Sequence, residues 1–201
     1  YDMNLQNLSQ IFKMKEFLDN DTTIKDDDLI CLIDANDVIW VPNKKKQDLI
    51  NLFMKQKVDL LFGAEIACAK HDKDVKNYFN EKYKNKPFKY LNGGFILGYK
   101  SKYHFMINDL VKNFEKEYFT QIKLKRTGPW INSYSNQRIY SRFMLKNEKK
   151  KYMKIELDCD RKFVWNQSPK LSEQEFNIEK VNTFFFHVTF LAGEKQMQIY
   201  K

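Results

Sequence analysis

Asp34 and Asp37 carry the most explicit chemistry in the sequence. They stand three residues apart in Asp34-Ala35-Asn36-Asp37, directly after the apolar run Leu29-Ile30-Cys31-Leu32-Ile33. Two carboxylates at that spacing on a tight turn can converge on one hard cation, which in turn can hold the phosphates of a nucleotide. An Asp-rich turn after a strand serves equally well as a solvated loop or a helix cap, and the local pattern leaves both open. His187 ends another strongly apolar run, Thr183-Phe184-Phe185-Phe186-His187-Val188, and can bring an imidazole nitrogen to the same sheet edge. Oxygen-rich ligation with one imidazole suits Mn²⁺, while a buried histidine bonded to a carbonyl is the common alternative. His71 and His104, in polar or helical surroundings, read as solvated. Glu65, Asp158 and Asp160 fall near expected strand ends and are the candidates for a catalytic base.

These residues need strands that end at one edge. The run before Asp34 reads as a parallel strand covered on both faces, with helix-like stretches on either side, Leu5 to Leu18 and Gln47 to Gln56. In the first helix Leu5, Leu8, Ile11, Phe12, Lys15 and Leu18 share helical spacing, and Asp19-Asn20-Asp21-Thr22-Thr23 breaks the pattern. Val58 to Glu65 reads as a second buried strand, again with an acid at its C-terminal end. Open α/β sheets bind ligands beyond such ends. A helix is expected around Asp74 to Tyr83, and Tyr90 to Tyr99 reads as a Gly93-Gly94 turn opening into a strand. Glycines there let backbone approach a ligand, or simply make a hairpin turn or bulge. Ser101 to Phe119 is helical, with Phe105, Leu110, Val111 and Phe114 as expected core. A short helix carries Ile139, Tyr140, Phe143 and Met144, and Tyr152 to Leu157 alternates as a strand that Phe163-Val164-Trp165 continues.

A chain of 201 residues suffices for one α/β domain with a sizeable core. The net charge of +9 favours anionic partners such as phosphates, nucleotides or acidic polymers. Nucleic-acid binding is supported by charge alone, because the tyrosines and phenylalanines sit mainly at core spacing. Lysine runs such as Lys44-Lys45-Lys46 and Lys149-Lys150-Lys151 read as solvated faces. Abundant Lys and Asn beside only 6 Gly and 4 Pro suggests an AT-rich genome, such as that of a giant virus or a parasite. Cys31, Cys68 and Cys159 are widely spaced, which argues against a disulfide framework and a zinc knuckle. No signal peptide is visible and no apolar run approaches the roughly 20 residues needed to span a bilayer. Dinucleotide, P-loop and nucleophile-elbow motifs are all missing from the sequence.

Several stretches, in this order, resemble one family. Leu29 to Val38 (LICLIDANDV) resembles a strand ending in D-x-x-D, Leu61 to Glu65 (LFGAE) an F-x-A-E strand, and Leu91 to Tyr99 (LNGGFILGY) an L-N-S-G-G-F-I-G-Y segment. Leu157 to Gln167 (LDCDRKFVWNQ) resembles an L-D … I-F-Q segment, and His187 stands at the His of H-G-N-G. Together they resemble the glycosyltransferase domain of procollagen lysyl hydroxylases and the related collagen-type glycosyltransferases, including those of giant viruses. The match covers most of the chain.

The resemblance implies an α/β, GT-A-like (Rossmann-like) fold with a mostly parallel central sheet flanked by helices, as a single domain over residues 1–201. It implies transfer of a hexose, glucose or galactose, from a UDP-sugar with Mn²⁺ held by Asp34, Asp37 and His187. The acceptor implied is hydroxylysine or galactosyl-hydroxylysine of a collagen-like protein. Lys13 falls at a nucleotide lysine, and Asn36 replaces an aromatic that stacks on uracil. Asn92, Gly93 and Gly94 would line the donor sugar, and Lys195 would serve a diphosphate oxygen. Ser135-Asn136-Gln137 stands where the family has an acidic stretch ending D-D-Q, so Asn136 brings an amide to a position of catalytic carboxylates. Ala69 and Lys70 replace a Trp-Pro, and the family's first strand and nucleotide-binding loop would lie ahead of Tyr1. A catalytically inactive, donor- or partner-binding module is the competing expectation, and homo-oligomerisation is left open. Cellular relatives would place the chain in the secretory lumen, and viral ones in the host cell or virion.

Overall fold

The computed structural model describes residues 3–34, 37–66, 73–123, 136–166 and 182–187. It is a mixed α/β structure, in chain order α1 (Met3–Asn20), β1 (Leu29–Ile33), β2 (Val38–Trp40), α2 (Lys46–Gln56), β3 (Leu60–Glu65), α3 (Lys73–Lys82), β4 (Tyr90–Tyr99), α4 (Lys100–Lys123), α5 (Asn136–Lys150), β5 (Ile155–Leu157), β6 (Val164–Asn166) and β7 (Phe185–His187). No helix among the described residues is long and apolar enough to cross a membrane. The chain divides into two compact units, Tyr1–Ile30 with Gly98–Met153, and Cys31–Leu97 with Lys154–Lys201.

The first unit is helical. Ile11 and Leu18 are buried on α1, which packs chiefly on α4. On α5 the buried residues Tyr140, Phe143, Met144 and Asn147 recur at helical spacing, and Lys149 and Lys150 complement the negative end of the helix dipole. Of the expected core of α4, Leu110 and Val111 are buried but Phe105 is exposed, with its ring against that of Tyr152. The side chains of Leu5, Leu8 and Phe114 lie outside the described residues. Lys100 is buried because its ammonium is satisfied by backbone, donating to Asp21 O at 2.9 Å and Ile24 O at 2.6 Å.

The second unit contains the apolar strands. β3 is buried along its length except at Glu65, as its unbroken apolar run requires. It stands in the four-stranded sheet β1-β4-β3-β5, and β3 and β5 pair in parallel. A second, three-stranded sheet has the order β2-β7-β6, antiparallel between β2 and β7 and parallel between β6 and β7. The described strands therefore make two sheets, the second of mixed direction, instead of one mostly parallel central sheet. α2 buries Leu49 and Phe53 and α3 buries Val75 and Phe79, each pair one helical turn apart.

Three local expectations are corrected. Among the described strands β1 lies at a sheet edge, and Cys31 and Ile33 are exposed, so it is not covered on both faces. Gly93 and Gly94 do not form a turn, because β4 runs continuously through them. Phe163-Val164-Trp165 does not continue β5, because the chain turns at Asp158 and β6 joins the other sheet.

Candidate metal centre

Strand register assembles the site. β2 and β7 pair with Val38 opposite His187, which sets Asp37, one residue earlier, beside the imidazole. The turn from Asp34 to Val38 is closed by Val38 N donating to Asp34 O at 3.0 Å, and this folds the two aspartates toward each other. Asp34 is tied to β4 through its own N–H, which donates to Gly94 O at 3.0 Å. As a result one ligand atom each of Asp34, Asp37 and His187 lies within 4.8 Å of the others. His187 Nε2 stands 3.3 Å from Asp37 Oδ2.

The imidazole is held from behind. Parallel pairing of β6 with β7 sets Asn166 opposite His187, and Asn166 Oδ1 lies 2.7 Å from His187 Nδ1. Phe186 and Val41 are buried beneath, with Trp165 packed against them, and Phe185 meets Phe95 and Trp40 ring to ring. An aromatic floor of that kind restricts how the strand end can shift.

Gly94 supplies clearance. A Cβ built there would stand 2.5 Å from His187 Cε1, 2.9 Å from Nδ1 and 3.0 Å from Asp34 Oδ2. Any larger residue would occupy the space that the imidazole and carboxylate share. Asn92, buried in the same strand, fixes this point: its Oδ1 accepts from Gly94 N at 2.9 Å and its Nδ2 donates to Glu65 Oε2 at 3.2 Å. Glu65 thereby sits one strand away, oriented by an amide, at the end of β3.

The electrostatics of the cluster are those of crowded acids. Asp37 Oδ1 is buried with no hydrogen-bond partner among the described residues, a costly state for a carboxylate oxygen. Although Asp34 is solvent-exposed, local desolvation pushes its carboxyl above the ordinary value, the Asp37 carboxylate adds to the rise and His187 offsets part of it. Two carboxylates and one imidazole, mostly oxygen with one borderline nitrogen, make a donor set suited to Mn²⁺. The residues present thus fit a divalent cation on donor chemistry and on the orphaned oxygen.

The remaining sequence candidates divide. Asp158 is buried and fully engaged: Oδ1 accepts from Lys162 N at 2.8 Å, and Oδ2 from Phe163 N at 2.7 Å and Val164 N at 2.9 Å. Burial pushes its carboxyl up and these three amides pull it part of the way back. Its place is that of a loop anchor, held at both oxygens by backbone amides. Asp160 is exposed and paired with Lys86 at 2.5 Å, whose hydrogen bond holds it below the usual carboxylate value. Asn136 opens α5 and donates to Gln10 of α1, so it belongs to the helical unit, as does the exposed Lys13. His104 is half-buried and pairs with Asp19 at 2.7 Å. Gly93 is half-buried in β4. Asn36, Lys195, Cys68 and His71 lie outside the described residues, while Cys31 and Cys159 are free thiols. Asn166 is the site residue that sequence reasoning passed over, although it stands at the end of a short apolar stretch, as His187 does.

No protein-family model matches the chain, and no curated protein matches it.

Proposed function

We propose that the chain is a GT-A-type glycosyltransferase domain that uses Mn²⁺ to bind a UDP-hexose and transfers glucose or galactose. Its acceptor would be of the hydroxylysine or galactosyl-hydroxylysine class on a collagen-like protein. The observation that carries the reading is the convergence of Asp34, Asp37 and His187 within 4.8 Å, from two distant points in the sequence. The ordered D-x-x-D, F-x-A-E and L-N-x-G-F motifs add the nucleotide-sugar part of it. A bound cation would supply Lewis-acid neutralisation of the departing diphosphate.

The chain's own residues would divide the work as follows. Asp34, Asp37 and the imidazole of His187 hold the ion, and Asn166 orients that imidazole. Gly94 keeps the approach open, since a side chain there would meet both His187 and Asp34. Asn92 and Glu65 are bonded to each other beside this opening, and in this reading Asn92 orients Glu65 toward the hydroxyls of a donor sugar. The test is calorimetric titration of UDP into the chain with and without Mn²⁺, repeated with Asp37→Ala. Binding that needs both the ion and Asp37 is expected, and UDP binding indifferent to both would sink the reading.

A second reading, donor binding without turnover, is favoured by the engagement of Asp158 with three backbone amides. It predicts Mn²⁺-dependent UDP binding with no release of UDP from UDP-glucose or UDP-galactose.

A further inference from the structure

We propose that Asn166 is a positioning residue that holds His187 as the Nδ1–H tautomer, so that the bare Nε2 faces Asp34 and Asp37 as a ready cation ligand. The inference rests on the cation-site reading of that cluster, and its test separates the two.

The argument is one of donors and acceptors. Asn166 is 2 % exposed, and its side-chain amide lies between two partners. On one side is Ala64 O, at 2.8 Å from Nδ2. A carbonyl oxygen only accepts, so the NH₂ end of the amide must lie there. The other end, Oδ1, is then directed at His187 Nδ1, at 2.7 Å. An amide oxygen also only accepts, so Nδ1 must carry a proton. A neutral imidazole has one N–H, so Nε2 is left with its lone pair, facing Asp37 Oδ2 at 3.3 Å. Without a cation that pair sets acceptor against acceptor. Were His187 free to choose, a proton on Nε2 would be favoured, donated to the carboxylates. The Ala64–Asn166–His187 chain opposes that choice and commits the ring to metal ligation, the task that outer hydrogen bonds perform at histidine metal sites generally.

The backbone is built around this amide. Residue 63 in β3 is glycine, where a Cβ would stand 3.0 Å from Asn166 Nδ2 and 3.3 Å from Val164 Cγ1. An aspartate at position 166 would keep an acceptor for Nδ1–H but set an oxygen against Ala64 O. A leucine of similar shape would keep neither bond.

Two readouts test this. The first is the ¹⁵N spectrum of the histidine rings in metal-free protein at alkaline pH, with His187 assigned by its loss in His187→Gln. The second is the dissociation constant for Mn²⁺ alone, read from the free-ion EPR signal. The wild type is expected to show Nδ1–H at His187. Asn166→Leu should move the ring toward Nε2–H and weaken Mn²⁺ binding by about 10–100-fold, the usual effect of losing an outer-shell partner. Asn166→Asp should restore the tautomer and most of the affinity. An Nε2–H ring in the wild type overturns the proposal without any variant, so it stays open to refutation if Asn166→Leu does not fold. A folded Asn166→Leu with unchanged tautomer and affinity overturns it too. If the wild type binds no Mn²⁺ yet its tautomer switches with Asn166→Leu, the positioning role stands and the donor-site reading falls.

Discussion

Two aspartate-bearing turns follow strands in the sheet-containing unit, and they handle charge in opposite ways. At Asp158 each carboxylate oxygen is satisfied by backbone amides of residues 162–164, and the side chain is buried. At Asp34 and Asp37 the carboxylates face each other and an imidazole, and one oxygen is buried without a partner among the described residues. Both carboxyls are pushed up by burial, but at Asp158 three amides offset part of that cost, whereas at the Asp34 turn the neighbouring Asp37 carboxylate adds to it and only His187 offsets it. From sequence alone the two turns look alike, and what separates them is whether the local backbone answers the charge.

Exchanging the two turns by mutation should therefore give opposite phenotypes. Asp37→Ala is expected to abolish Mn²⁺ binding, a loss of more than about 100-fold since a direct ligand matters at least as much as an outer-shell one, while leaving the fold intact. Titration with Mn²⁺ alone, followed by a thermal melt, reads both. Retained affinity would remove Asp37 from the site. Gly94→Ala should come next, because its Cβ would press on His187 Cε1 from 2.5 Å. We expect about a tenfold or greater loss of Mn²⁺ affinity together with roughly 1–3 kcal/mol of destabilisation from overpacking. A Gly94→Ala protein with wild-type affinity would mean that the imidazole has room to retreat.

Asp158→Asn should do the reverse. An amide can offer its oxygen to Phe163 and Val164, but its NH₂ then confronts the N–H of Lys162. The expected cost is about 1–3 kcal/mol in urea unfolding, with Mn²⁺ affinity unchanged. A change in affinity without a change in stability would move Asp158 from the scaffold to the site.

The parts legible in the sequence were those that repeat a signal. β3 reads as buried because the five residues from Leu60 to Ala64 offer no polar face, and α3 and α5 read as helices because their apolar residues recur at helical spacing. Single-residue decisions were not legible. Phe105 fits a core pattern but faces solvent, because spacing does not say which stripe of a long helix is covered. The Gly-Gly pair looks like a turn, and only the nearness of His187 and Asp34 shows why a straight strand needs glycine at 94. Phe163 to Trp165 looks like more of β5, and only the three bonds to Asp158 show that the chain is redirected into another sheet. Asp34, Asp37 and His187 were legible as ligand types, whereas their convergence depends on the pairing of β2 with β7, which no local pattern encodes. Asn166 was hidden for the same reason, since its meaning lies in a partner 21 residues away.

The smallest expected effect bears on the claim that the Asp34 turn costs the fold stability. The Asp34 carboxyl titrates above its ordinary value of 3.8 in the folded protein, chiefly through desolvation and then through Asp37. The folded state therefore holds this proton more tightly than the unfolded chain does. The stability that the proton contributes is fully present below the unfolded value and is lost as pH rises through the folded one. Asp34→Asn carries no such penalty, so in chelator-treated protein the variant should equal the wild type at low pH and exceed it once the pH has passed this window. The group is exposed and screened, so the gap should stay below about 1 kcal/mol, measurable as the difference between paired urea titrations across pH. Mn²⁺ affinity of the wild type should rise over the same window, because the ion must displace that proton. An Asp34→Asn protein less stable than the wild type at neutral pH would show that the carboxylate is answered by its surroundings after all, and the contrast with Asp158 would collapse.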